Sequence, residues 1–237
     1  MNITEEKISI SIKQKEFSAN ELINKLAHTV ENLINDIQEL KEENKELKKF
    51  KIKMEEKEKR KYGIENSSII KNEEQIKMIS DWIAPNKKII FTRIYRATKD
   101  GGIGYNFHKH CDNQGPTLTL IESTKGHIFG GYITISWESP TSSTYKGNDD
   151  KAFIFSVNNK LKYPIQDKSK VIYNRQDYGP VFGNYEIYIS KDIFSINDNN
   201  YGSSCNENNS YKLSPEKIAG GSSFYVSELE VYRIQLV

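Results

Sequence analysis

Four side chains of metal-ligand type crowd one short stretch: His108, His110, Cys111 and Asp112. A tetrahedral zinc site draws its ligands from separated pairs, and residues this close cannot complete one without distortion. His127 and Cys205 would have to fold nearby to finish it. Cys111 beside a histidine also has the make-up of a thiol–imidazole dyad. Lys109 and His110 would lower the thiol pKa, whereas burial among Ile103 and Phe107 would deny access. Gly101-Gly102-Ile103-Gly104 follows a strand and opens a helix, as in a dinucleotide loop. Its third glycine position is Phe107, however, and the repeated βαβ units of a dinucleotide fold are missing. A tight turn fits those glycines better. Glu228 and Glu230 lie one strand period apart and so share a face. Paired carboxylates perform acid–base chemistry when their surroundings split their pKa values, but on an alternating strand such acids usually face solvent, or a partner. These patterns assign no catalytic, cofactor or metal residue, and the chain is expected not to be an enzyme.

The elements that would position these groups fall into two unlike halves. The first, up to about Lys61, is dense in Lys and Glu; the second is rich in Tyr, Phe, Ile, Gly and Ser. The net charge of +2 is far from that of a dedicated nucleic-acid binder. Two cysteines cannot frame a disulfide scaffold. Met1 to Ile12 shows no secretory pattern, and no apolar run would span a bilayer. The expectation is a cytoplasmic protein, with the nucleus as the alternative, and no membrane insertion.

Residues 1–17 read as a flexible leader. Ser18-Ala19-Asn20-Glu21 then forms a capping box, and an unbroken three–four spacing follows: Ile23, Leu26, Val30, Leu33, Ile37, Leu40, Asn44, Leu47. β-branched residues at a and leucines at d favour two parallel strands, and Asn44 at an a position fixes register at a cost in stability. Asp36 with Lys41, and Glu43 with Lys48, pair attractively across such a dimer. Residues 18–62 are therefore assigned to a parallel homodimeric coiled coil. Its basic residues follow the zipper rather than precede it, unlike a DNA-gripping helix.

Gly63 and Asn66-Ser67-Ser68 end this segment. An amphipathic helix is predicted over 74–83, stopped at Ala84-Pro85-Asn86. Strands are predicted over 89–96, 117–122, 127–138, 152–157, 185–190 and 224–235, the last with a bulge near Ser227, and a helical stretch over 104–111. That order gives an α+β, mostly β fold: a two-layer antiparallel sandwich with a few flanking helices, preceded by the coiled-coil helix.

Several ordered motifs in 63–237 resemble the TLDc family: Arg96-x3-Asp100-Gly101, Phe107-His108, Cys111-Asp112 and Gly115-Pro116-Thr117. Gly126-x2-Phe129-Gly130-Gly131-Tyr132 with Trp137, and Phe153-Ile154-Phe155, follow. Gly179-Pro180, Phe182-Gly183, Ser204-Cys205, Tyr211 and the closing Phe224-x-Val226-x-Glu228-Leu229-Glu230-Val231-Tyr232 complete the set. The chain is similar to compact protist-type members and lacks the LysM or TBC domains of animal ones. The resemblance implies a β-sandwich, protection against oxidative stress, and binding to the vacuolar proton-pumping ATPase. Three readings follow: a non-catalytic dimeric interaction or regulatory protein, a DNA-binding regulator of stress-response genes, or a thiol redox protein centred on Cys111.

Overall fold

A computed structural model of the chain describes residues 3–61, 64, 66–195, 203–211 and 218–237. The chain divides into two compact units, Met1–Glu58 and Lys59–Val237.

In the first unit, helix α1 spans Ile3–Lys61 without interruption. This corrects the leader: the helix runs through residues 3–17, and Ser18 lies inside it rather than capping it. Ile8, Ile10 and Ile12 stand two apart, as in a strand, but the surrounding Glu, Lys and Gln residues are good helix formers. Extending an existing helix also costs far less than starting one. Met1 and the expected stop at Gly63 lie outside the described residues. Exposed Lys45–Glu42 and Lys49–Glu46 pairs at 3.2 and 2.7 Å decorate the surface, each contributing a few tenths of a kcal/mol. The heptad seam is open along its length, from Val30 at 46% exposed to Leu47 at 70%.

The second unit begins with α2 (Glu73–Ile83), whose first turn is capped by the Asn72 carboxamide accepting from Gln75 N–H at 3.0 Å. Then follow β1 (Ile89–Arg96), α3 (Ala97–Asp100), α4 (Gly104–Cys111), β2 (Thr117–Ser123), β3 (Ile128–Ile133), β4 (Thr144–Lys146), β5 (Phe153–Ser156), β6 (Leu161–Pro164), β7 (Ile172–Asn174), β8 (Val181–Phe182), β9 (Ile187–Tyr188), β10 (Ser203–Ser204), β11 (Ser223–Phe224) and β12 (Val226–Leu236). They build two antiparallel six-stranded sheets, ordered β1-β12-β2-β3-β5-β6 and β11-β10-β9-β8-β7-β4.

The sheets enclose one core, in which Phe107, Phe129, Trp137, Phe182, Leu229 and Val231 meet. A second core covers the outer face of the first sheet, where Leu118, Leu120, Tyr132, Phe155 and Tyr232 lie under Ile69, Ile70 and Ile79. The first sheet is thus buried on both sides. That explains why β2 and β3 are buried along nearly their whole length instead of on alternate residues. Between the sheets, β3 passes so close to β8 that a Cβ on Gly131 would sit 2.3 Å from the Phe182 ring.

β12 carries a register shift between Val226 and Glu228 against β2, the bulge anticipated at Ser227. The extra residue rotates the strand. Val226, Leu229 and Val231 therefore face the inner core, while Tyr232 and Ile234 join the outer one.

Candidate functional site

The paired carboxylates of β12 are not solvated acids. Glu228 is 5% exposed and Glu230 is 0% exposed, which corrects the expectation from strand alternation. The bulge turns them towards the outer face, and the chain before α2 folds over them. Ser67 Oγ donates to Glu230 Oε2 at 2.6 Å, and Ser68 donates to Oε1 through both its N–H and its hydroxyl at 3.1 Å. Tyr232 O–H donates to Oε2 at 2.9 Å. Arg93 and Arg96 from β1 stand 3.8 and 3.7 Å from Oε1.

Glu228 is held as closely. Arg96 Nε donates to it at 2.8 Å, Thr98 N–H at 3.2 Å, Thr98 O–H at 2.5 Å and Leu229 N–H at 3.0 Å. The Glu228 hydrogen bond keeps the Arg96 guanidinium more firmly protonated than usual. Each of the four carboxylate oxygens takes two hydrogen bonds, so neither group is set up to take a proton from a substrate. The chemistry of this arrangement is anchorage: it clasps the 66–70 segment and the start of α3 onto the last strand.

The remaining sequence-predicted residues fall around this clasp and through the inner core. Asp100 accepts from Arg96 N–H at 2.7 Å, and Gly101 C=O accepts from the Tyr95 hydroxyl at 2.8 Å. Phe107 stacks edge-on to Trp137 at 5.2 Å, Trp137 meets Phe182 at 5.4 Å, and the Trp137 indole donates to Thr117 at 3.1 Å. Gly130 and Gly131 allow the strand crossings. Gly179 approaches Ile189, and Gly183, with φ +64°, turns the chain over Glu186. The seam residues Ile23, Leu26, Val30, Leu33, Ile37, Leu40, Asn44 and Leu47 belong to the other unit.

His108 is buried. Its Nδ1 lies 2.7 Å from Asp112 Oδ1 and its Nε2 lies 2.9 Å from Arg175 C=O. Both ring nitrogens are thereby committed to protein groups, and the residue ties α4 to the loop after β7. Cys111 and Cys205 are each 0% exposed. Burial pushes both thiols upward, helped at Cys111 by the nearby carboxylates of Asp112 and Asp100. A nucleophilic thiolate needs the opposite environment, so the redox reading loses its premise.

Sequence reasoning missed Ser67, Ser68, Arg93, Arg96 and Thr98 as partners of the two glutamates. One signal was present: Arg93 and Arg96 on the first strand are the arginines that can answer two acids on the last, provided the two strands pair.

The family model described as TLDc domain matches residues 64–235, most of the chain. The chain belongs to the TLDc family. Its relatives include MTOR-associated protein MEAK7 of Danio rerio, 45% identical over 47 residues, which is 20% of this chain and 10% of that protein. The Mus musculus protein of the same name is 28% identical over 79 residues, 33% of this chain and 17% of its own length. The Gallus gallus protein is 40% identical over 48 residues, 20% and 10% respectively. The match spans no more than 17% of the length of these relatives. The TLDc boundary at residue 64 coincides with the start of the outer core at Ile64. The clasp therefore belongs wholly to the TLDc domain. Among the described residues, no helix is long and apolar enough to cross a membrane.

Proposed function

We propose that this TLDc protein is a non-catalytic interaction or regulatory protein that works as a parallel homodimer, paired through α1. The observation that carries the reading is the open seam. Seven large apolar side chains at strict heptad spacing are each at least 46% exposed on a single helix. A second copy of α1 buries them, and Asn44 opposite Asn44 sets the register. Pairing two TLDc domains raises their effective concentration on any partner with repeated sites.

The name of the MEAK7 relatives, mTOR-associated, and the roles implied by the TLDc family both support action on other proteins. For this chain we extend the family roles to protection against oxidative stress and to docking on the vacuolar proton-pumping ATPase. The buried, fully hydrogen-bonded Glu228 and Glu230 favour a scaffold over an active site.

Sedimentation velocity of the full chain beside a Leu33→Asp, Leu40→Asp variant tests the pairing. The expected result is a dimer that becomes a folded monomer on substitution; a wild-type monomer at micromolar concentration defeats the reading. Affinity purification of both forms from cells then asks which partners need the dimer. Proton-pump subunits recovered with the wild type, and less well with the variant, are the expected outcome.

A further inference from the structure

The second sheet holds a feature that the clasp and the coil leave unused. Tyr145 of β4 stands directly opposite Tyr173 of β7, and their rings lie 5.0 Å apart. Strand alternation sends Ile172 and Ile187 into the core and turns Tyr173 and Tyr188 outward. Tyr173 touches Tyr185 at 5.1 Å, Tyr185 touches Tyr188 at 5.6 Å, and Tyr188 touches Tyr178 at 5.2 Å. Five tyrosines form one continuous patch on the outer face of this sheet, half-buried apart from Tyr145, which is 37% exposed.

Tyr185 carries a cost. Its φ is +68°, a left-handed conformation that strains a bulky side chain and that glycine adopts freely. It is held there by the neighbouring rings and by Asn206, whose carboxamide donates to Tyr185 C=O at 2.9 Å. The strain brings a fifth ring into the patch. Burial pushes the Tyr185 and Tyr188 phenols upward, so both remain hydrogen-bond donors.

The charge around the rings has one sign in excess. Lys170 lies over Tyr145 at 5.4 Å, while Arg175 and Lys191 lie over Tyr178 at 4.6 and 5.9 Å. Of the carboxylates near them among the described residues, Asp177 is already shared by Arg175 at 2.7 Å and Lys191 at 2.6 Å, and Asp167, beside Lys170, accepts from the Ser169 N–H and hydroxyl. Three cations against two engaged acids leave a positive rim on an aromatic floor. Tyrosine and arginine are the residues that dominate protein-binding hot spots. Tyrosine also supplies rigid, amphipathic area at low entropic cost.

We propose that this tyrosine face docks an extended, acidic peptide segment of a partner protein, its backbone lying over the rings and its carboxylates meeting Lys170, Arg175 and Lys191. The inference rests on the interaction role given above and names the face and the chemistry of its partner. A single-stranded nucleic acid fits less well. Base stacking needs open ring faces, and Tyr178 already has two cations over its ring.

The test uses the full chain and a fluorescein-labelled peptide of six Glu-Pro repeats, which proline keeps extended. A Lys-Pro peptide of equal length and a thymidine 20-mer serve as controls. The acidic peptide should bind one per chain, weaken as salt rises, and outcompete both controls. Lys170→Glu combined with Lys191→Glu should weaken it at least tenfold. Tyr185→Gly relaxes the backbone while deleting a ring, so it should weaken binding at least tenfold without lowering the melting temperature. No binding of the acidic peptide, equal binding of the basic one, tighter binding of the thymidine 20-mer, or affinity unchanged in both variants overturns the proposal. If a cellular partner is retained by the full chain through both substitutions, the interaction role stands and this face is removed from it.

Discussion

Replacing Glu230 by alanine is the most direct test of the clasp. The carboxylate is 0% exposed and accepts four hydrogen bonds from Ser67, Ser68 and Tyr232. Removing it does not affect these donors equally. The Ser67 hydroxyl keeps a role, because it also accepts from the N–H groups of Ile69 and Ile70. Ser68 N–H and Tyr232 O–H lose their acceptor in a part-buried or buried place, at about 1–3 kcal/mol each. Arg93 and Arg96 stand nearly 4 Å away and remain 24% and 20% exposed, so their lost attraction adds at most about 1 kcal/mol. The total is about 4 kcal/mol, within the range for breaking a buried charged network from one side. Glu230→Gln keeps the shape and one acceptor oxygen and should cost about 1–2 kcal/mol. Urea unfolding followed by tryptophan fluorescence is the assay. Trp82 and Trp137 both lie in the TLDc unit, so α1 does not contribute. With a slope of about 2 kcal/mol/M, the alanine midpoint should fall by about 2 M. In a Tyr232→Phe background the same substitution should cost measurably less, because one of the orphaned donors is already gone. An alanine variant within about 1 kcal/mol of wild type would refute the claim that this network holds the 66–70 segment in place.

Asn44→Leu should raise the thermal stability of the coil and broaden the oligomers seen by sedimentation, since the buried amide trades stability for register. Burial raises the Glu186 carboxyl, against the opposing hydrogen bonds from Ser210 and Tyr211 N–H. A raised acid is tolerated while protonated and costs stability as pH climbs through its folded value. The melting-temperature advantage of Glu186→Gln should therefore grow from pH 4 to pH 7, and a flat difference contradicts the assignment. Gly131→Ala places a methyl against the Phe182 ring and should destabilise the domain by about 1–3 kcal/mol, read as a shift in urea midpoint. Cys111 and Cys205 should resist a thiol reagent in native buffer and react together once urea unfolds the domain.

Much of this architecture can be read from the chain, and where it cannot the reason is physical. The α1 helix is visible because its three–four apolar spacing is a local, repeated signal. β1 and α4 appear with the bounds their side chains suggest, because turn residues flank both. The Ser227 bulge is visible because Val226 and Leu229 are both apolar at an odd spacing. The short strands β4, β7 and β8 escape notice: two or three residues are too few for a period to show. The clasp escapes for a different reason. Glu230 reads as a surface acid from its neighbours in β12, and the Ser67 hydroxyl that buries it is 163 residues away in sequence. The helix over residues 3–17 escapes because isoleucines at 8, 10 and 12 imitate a strand, and only the continuing helix behind them decides the matter.

β12 lies between β1 and β2, in the middle of the first sheet's N-terminal half. A ribosome releases β1 and β2 early, but the strand that must join them is made only after everything from Thr124 to Tyr225. At roughly 5–20 residues per second, that wait lasts roughly 5–20 s. Throughout it the nascent chain presents two apolar strands with unsatisfied edges, the form most prone to stick to its neighbours. The domain is completed in a single late event, when the last strand slides into a slot already flanked on both sides. The strand order thus makes the span between β2 and β12 the interval in which the nascent domain is most exposed to wrong pairing.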